Sequence, residues 1–160
     1  MAKEITAAEY QALAELRYRI RRFVREGDAV VQTAGLEPQQ YLLLLAIRGL
    51  PDGEEATIRA LAERLVLKHH SVVELIDRLE AHGYVRRNRS RDDRRRVLVV
   101  LLPRGEKLLE LVARDRIGEL RSSGAALVNA ISALLEIGRP SPGKKQTRGS
   151  SKQSKERGRE

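Results

Sequence analysis

Arginine dominates one short stretch of this sequence. Between positions 86 and 96 it occurs seven times, and only Asp92 and Asp93 carry the opposite charge. Guanidinium groups bind phosphate oxygens in a forked geometry, and so many of them would repel one another without a polyanion beside them. The stretch therefore predicts contact with a nucleic-acid backbone.

The segment 69–82, just before this stretch, offers a second set of polar groups. Its apolar residues recur at helical spacing and predict a buried face. These apolar residues are Val72, Leu75, Ile76 and Leu79. The side chains left outside that face are candidates to read base edges or bind phosphate. They are His69, His70, Ser71, Val73, Glu74 and Arg78.

Metal binding and catalysis are the competing interpretations of these residues. His70 and Glu74 are four residues apart on the predicted helix, with His69 and His82 nearby, but no third ligand stands at a recognisable spacing and the chain has no cysteine. A phosphate-binding glycine loop, a nucleophile elbow and a Cys/His pair are also missing from the sequence. We therefore predict no metal, no cofactor and no enzyme activity.

Two short helices joined by a tight turn must position these side chains. The first runs over 57–65 with Thr57 as its N-cap, and the turn covers 66–68. The second helix ends before Gly83, a glycine suited to the left-handed position after a helix. This pattern predicts a helix-turn-helix.

Two strand-like runs, at 84–87 and 97–102, flank the arginine-rich residues. A helix-turn-helix followed by a basic hairpin predicts a winged helix. In such a fold the second helix suits the major groove, and the hairpin suits the neighbouring backbone or minor groove.

Three motifs, in this order and spacing, resemble the MarR family of winged-helix transcriptional regulators. They are L-A-E-R-L at 61–65, V-x-x-L-I-D-R-L-E-x-x-G-Y-V-x-R at 72–87 and D-D-R-R-R-V-L-V-V-L-x-P-R-G at 92–105. The match extends over about 6–137. Glu37 and Glu74 depart from the family pattern.

The resemblance implies a mainly α fold with a small β-hairpin wing. The domain would cover 1–137, with the winged helix-turn-helix at 57–102 and dimerisation helices at 6–34 and 103–137. Asp77 and Arg78 match a family D-R pair, for which we favour an intramolecular salt bridge that braces the helix. The wing residues that we expect to contact DNA are Arg86, Arg91, Arg94 and Arg95.

The resemblance also implies partners. The protein would act as a cytoplasmic homodimer, as a repressor on a pseudo-palindromic operator, and would respond to a small aromatic or phenolic effector. Side chains in the elements that could line an effector cleft are Tyr10, Tyr18, Arg22, Tyr41 and Arg48. The alternative function is a winged-helix module for protein–protein or nonspecific nucleic-acid binding without effector control.

The flanking segments read as helices. Thr6 and Glu9 form a capping-box pattern, and the stripe of Leu13, Leu16, Ile20, Phe23 and Val24 would pack on the chain itself or on a dimer partner. Pro38 starts a helix whose run 42–45 predicts full burial. After the wing we predict a helix from Pro103, a break at 122–124, and a last helix over 125–137.

Charge is unevenly distributed. The net charge is +9, and residues 138–160 contribute eight Lys or Arg against two Glu, which is +6 and leaves +3 for the rest. That segment has no Leu, Ile, Val or aromatic residue and predicts a disordered basic tail. The tail either is only solvated or adds nonspecific DNA affinity. The sequence shows no signal peptide and no membrane-spanning run, and without cysteine there is no thiol sensor.

Overall fold

The computed structural model describes residues 4–89 and 96–137. The predicted contacts Arg91, Arg94 and Arg95 and the predicted tail at 138–160 lie outside the described residues. The elements in chain order are α1 (Ala7–Thr33), α2 (Pro38–Arg48), α3 (Ile58–Leu65), α4 (His69–Ala81), β1 (Val85–Arg89), β2 (Val97–Leu101) and α5 (Pro103–Glu136). The prediction of a mainly α fold with a β-hairpin wing is confirmed. Within the described ranges no helix is long and apolar enough to cross a membrane.

The predicted helix starts and stops are confirmed by their hydrogen bonds. The Thr6 hydroxyl accepts the Glu9 amide at 3.2 Å, and the Glu9 carboxylate accepts the Thr6 amide at 2.7 Å. Thr57 caps α3 by accepting the Ala60 amide at 3.2 Å. Gly83, with φ of 69°, follows the end of α4.

The core joins the helix-turn-helix to the wing. Leu61 of α3, Ile76 of α4 and Val99 of β2 are buried together with the rest of the predicted α4 face. The two strands pair antiparallel, with Val85 opposite Leu101 and Arg89 opposite Val97. A β-bridge from Leu98 to Thr57 lies on the other edge of β2. The base of the wing is therefore fixed to α3, and β1 is the outer strand.

Two sequence predictions about the flanking helices are wrong. The predicted break at 122–124 does not exist, because α5 runs unbroken from Pro103 to Glu136. The hydroxyls of Ser122 and Ser123 both donate to the Glu119 carbonyl at 2.9 Å, which satisfies them inside the helix. The run 42–45 is only half buried. Leu43 and Leu44 face the core, whereas Leu42 and Leu45 remain 42% and 41% exposed.

The apolar stripe predicted on α1 divides into two faces. Leu16 and Phe23 are half-buried on the side of α1 that packs along α5. Leu13, Ile20 and Val24 are exposed on the neighbouring side. The intramolecular interpretation thus accounts for one face only, and the second face stays uncovered in the single chain.

Val66 closes α3 in the left-handed conformation, with φ of 54° and ψ of 42°. Its side chain is 89% exposed, so no burial compensates for the strain. A left-handed backbone costs an L-residue about 1–2 kcal/mol, and glycine avoids this at an entropic cost of about 0.5–1 kcal/mol. We therefore expect Val66→Gly to raise the free energy of unfolding by about 0.5–1 kcal/mol in urea denaturation.

The control for this prediction is Val66→Ala. Alanine removes the branched side chain but keeps the Cβ that disfavours positive φ, so it should gain clearly less than glycine. Equal gains from both variants would show that the branched side chain, rather than backbone strain, is responsible.

Candidate nucleic-acid interface

The recognition surface is the side of α4 that faces away from the core. His70, Glu74 and Asp77 follow one another at intervals of four and three residues, and all three are exposed. His69 is exposed at the first position of the helix, while Ser71 and Val73 are half-buried at the margins. The structure therefore brings five of the six predicted α4 contacts together in the amino-terminal half of the helix, and Arg78 lies further along it.

Asp77 and Arg78 each form an intramolecular salt bridge, as predicted, and each pairs with a different element. Arg78 Nη1 lies 3.3 Å from Glu37 Oε2 at the start of α2, and both side chains are more than half exposed. Such an exposed pair contributes little and can give way to a phosphate. Asp77 pairs instead with Arg87 of the wing. Glu37, which departs from the family pattern, thus has a structural contact.

The wing has two faces that follow the alternation of its strands. Val85, Arg87 and Arg89 lie on the face turned towards α4, where Val85 is fully buried. Arg86 alternates with them and lies exposed on the opposite face. Its assignment to DNA stays a prediction, as do those of Arg91, Arg94 and Arg95. Arg89, which the sequence did not single out, is exposed on the α4 side at the outer end of β1.

Arg87 connects the wing to α4. Burial lowers its pKa, but hydrogen bonds and charge from Asp77 and Glu80 outweigh that effect and raise the pKa above its ordinary value. The sequence could not identify this contact, because the seven arginines look alike until the strand register is known.

A small notch lies where α3, α4 and β2 meet. It has a volume of about 400 Å³, and its charged or titratable lining residues are Arg59, His69 and Arg96. Arg59 pairs with Glu63 at 3.0 Å, and Arg96 pairs with Glu55. Because these pairs are exposed, Arg59 and Arg96 can exchange their carboxylate partners for a DNA phosphate beside the start of α4. Arg59 and Arg96 were not predicted as contacts.

The side chains proposed for an effector cleft do not converge on one cavity. Tyr18 and Arg22 line an open groove of about 470 Å³ along α1. Arg48 lines another groove, of about 560 Å³, between α2 and the start of α5. Tyr41 is buried, and burial raises its pKa although the Arg116 charge lowers it. Tyr10 is exposed on α1.

Acidic and imidazole side chains do not cluster as a metal centre would require. Within residues 4–89 and 96–137, no group of three or more His, Asp or Glu is placed to hold a metal ion. Together, the tight α3–α4 pair, the exposed polar side of α4 and the hairpin fixed beside it define a winged helix-turn-helix protein.

Residues 34–96 match the model of the MarR family. The transcriptional regulator TtmR of Methylorubrum extorquens is 39% identical over 69 residues, which are 43% of this chain and 34% of that protein. The organic hydroperoxide resistance transcriptional regulator of Bacillus subtilis is 28% identical over 120 residues, 73% of this chain and 80% of that protein. The match thus spans about a third of the first relative and most of the second.

Solved structures show the same fold. AbsC, a MarR family regulator of Streptomyces coelicolor, has a TM-score of 0.70 at 20% identity, over 85% of this chain and 95% of that one. The repressor CouR, solved with a 23-mer DNA duplex, has a TM-score of 0.60 at 24% identity, over 83% and 99%. BpsR of Bordetella bronchiseptica has a TM-score of 0.58 at 23% identity, over 76% and 89%. Residues 34–96 thus match the MarR family, and the described residues have the winged helix-turn-helix fold of MarR family regulators.

Proposed function

We propose that this chain is a homodimeric regulator that binds a pseudo-palindromic DNA operator and releases it when a small molecule binds. We further propose that it acts in the cytoplasm and catalyses no reaction. The observation that carries the DNA assignment is the exposed polar side of α4 with the wing fixed next to it. CouR, whose structure contains a DNA duplex, supports the same partner.

The homodimer is supported by two uncovered apolar stripes. The α1 stripe consists of Tyr10, Leu13, Ile20 and Val24. The α5 stripe consists of Ile117, Leu120, Val128, Ile131 and Leu135. In each helix the intervals between these residues are three, four, seven or eight, the spacing that keeps side chains on one side of a helix. Contiguous exposed apolar surface of this kind marks an interface.

The effector is supported by a groove of suitable chemistry. The groove between α2 and α5 combines the exposed side of Leu45 with the cations Arg48 and Lys107 and the carboxylates Glu106 and Glu110, and Arg48 Nε lies 3.8 Å from Glu106 Oε1. An aromatic acid could place its ring on the leucine and its carboxylate near the cations. For BpsR, regulation of DNA binding by 6-hydroxynicotinic acid is described. We propose an anionic aromatic effector for this chain.

Fluorescence anisotropy tests this function. The protein would be titrated onto a duplex from upstream of its own gene and onto a scrambled duplex, at several salt concentrations. Specific binding should be about 10³-fold tighter or more, and a panel of aromatic acids and phenols should include one that releases the operator. Equal, steeply salt-dependent binding to both duplexes would favour a nonspecific nucleic-acid module. Absence of binding at low salt would favour a protein partner.

The wing geometry predicts unequal roles for two neighbouring arginines. Arg89→Gln should weaken binding to every duplex and lower the slope of log affinity against log salt by about one per subunit. The reason is its position on the α4 side of the wing, near the expected DNA backbone. Arg86→Gln, on the opposite face, removes the same charge and should change the slope less. A larger effect of Arg86→Gln would support the sequence-based assignment instead.

A further inference from the structure

Arg87 holds the wing against the recognition helix through four hydrogen bonds. Its guanidinium lies 2.6 Å from Asp77 Oδ1 and 2.5 Å from Glu80 Oε2, and a third bond reaches the Val73 carbonyl at 3.4 Å. Its backbone amide donates to Glu80 Oε1 at 2.9 Å. The three partners stand at intervals of four and three residues, on one side of α4. A single arginine therefore contacts two turns of the recognition helix.

Glu80 contributes to both parts of this contact. One of its oxygens accepts the Arg87 amide on the outer strand β1, and the other accepts the Arg87 guanidinium. An outer strand presents unpaired amides, and this carboxylate covers one of them. The backbone of the wing, as well as its side chain, is thus bonded to α4.

The arginine is already committed within the protein. Its side chain is only 26% exposed, and two carboxylates neutralise it. Breaking these bonds to contact a phosphate would leave Asp77 and Glu80 uncompensated close to the DNA surface, where each would repel the backbone. Arg87 differs in this respect from Arg86 and Arg89, which are exposed on the same strand.

We propose that Arg87 is a positioning residue, which holds the wing and the recognition helix as one rigid reading unit without contacting DNA itself. The two elements must enter neighbouring grooves together, so a fixed angle between them favours the correct site over other sequences. Only the effect of Arg87 on DNA recognition rests on the proposed function. Its structural part can be tested on the free protein.

The test replaces Arg87 by lysine, which keeps the charge but cannot form the forked contact. In the operator assay, Arg87→Lys should reduce the ratio of specific to nonspecific affinity by about tenfold or more, because a fixed angle favours only the specific site. The slope against salt should stay unchanged, because no phosphate contact is lost. In the free protein, amide hydrogen exchange across 84–89 should become faster.

The matched control is Arg86→Lys, the same substitution one residue earlier and on the other face. It should leave the exchange rates across 84–89 unchanged, because Arg86 lies exposed on the face of β1 that is turned away from α4. A second variant, Asp77→Asn with Glu80→Gln, removes the partners and keeps the arginine. It should reproduce the faster exchange even if one arginine variant folds poorly.

Two results would overturn the proposal. If Arg87→Lys retains the affinity ratio and the exchange rates of the wild type, the contact does not position the wing. If a neutral Arg87→Gln lowers the salt slope by about one per subunit, Arg87 contacts phosphate directly. Failure of the proposed function gives a different result, because the wild type itself would then show no preference for the operator. Amide hydrogen exchange across 84–89 would still report on the contact of Arg87 with α4.

Discussion

Replacing Val128 by glutamate is expected to make the protein monomeric and to lower operator affinity by about three orders of magnitude. Val128 lies in the α5 stripe and is 60% exposed in the single chain. In a monomer the carboxylate of a glutamate there would be solvated by water. In a dimer the same carboxylate would be buried without an ion-pair partner. The substitution therefore opposes association while leaving the fold of each chain intact.

The loss of DNA binding follows from the loss of symmetry. In the proposed dimer two recognition helices bind two half-sites, so the second contact is intramolecular once the first has formed. A monomer retains only one half-site contact and its nonspecific charge. Sedimentation velocity should show the shift to monomer, and anisotropy on the operator should show the loss of affinity.

The control is Asn129→Glu, which adds the same charge to the next residue of α5. Asn129 is exposed and lies outside the α5 stripe, rotated by about 100° from Val128. It should leave dimerisation and operator affinity unchanged. A Val128→Glu protein that remains dimeric would remove α5 from the interface, and a monomer with full operator affinity would reject the need for a dimer.

Features that depend on a few neighbouring residues could be predicted from the sequence. Thr6, Thr57 and Gly83 act at helix ends through bonds that span three or four residues, and each is confirmed. The buried face of α4 follows from the spacing of its apolar residues alone. The winged helix could therefore be assembled from local signals.

Features that depend on contacts between elements could not be predicted. An intramolecular salt bridge was predicted for Asp77 and Arg78, but their partners were not, because it is the strand register that brings Arg87 to Asp77. The Ser122–Ser123–Gly124 sequence looked like a break, yet a helix tolerates it because both hydroxyls bond to the preceding turn. Leu42 and Leu45 were predicted to be buried because the run 42–45 is entirely apolar. Its composition does not show that only the side of α2 with Leu43 and Leu44 packs against the core.

The candidate site shows the same division. The sequence predicted which helix presents exposed polar side chains beside the wing, and it could not distinguish the arginines of the wing from one another. Arg86, Arg87 and Arg89 have the same side-chain chemistry in three environments. The alternation of β1 around the buried Val85 separates Arg86 from the other two, and the salt bridges to α4 separate Arg87 from Arg89. Assigning roles to them therefore requires the fold.

Gly105 provides the prediction with the largest expected effect on stability. It lies in the first turn of α5, directly against the backbone of Tyr84 at the base of the wing. A Cβ at this position would overlap the Tyr84 carbonyl oxygen and lie 2.9 Å from its carbonyl carbon. That carbonyl also accepts the Leu102 amide at 2.9 Å, so it cannot move away without breaking a bond.

Gly105→Ala should therefore lower the free energy of unfolding by about 3 kcal/mol, since backbone atoms must shift to make room. Gly118→Ala is the matched control in the same helix, because nothing lies within 4 Å of a Cβ placed there. It should raise stability by about 0.5–1 kcal/mol through helix propensity. Urea denaturation of both variants at one fixed protein concentration measures the difference. If the two substitutions changed the free energy of unfolding equally, α5 would not lie in close contact with the wing at Tyr84.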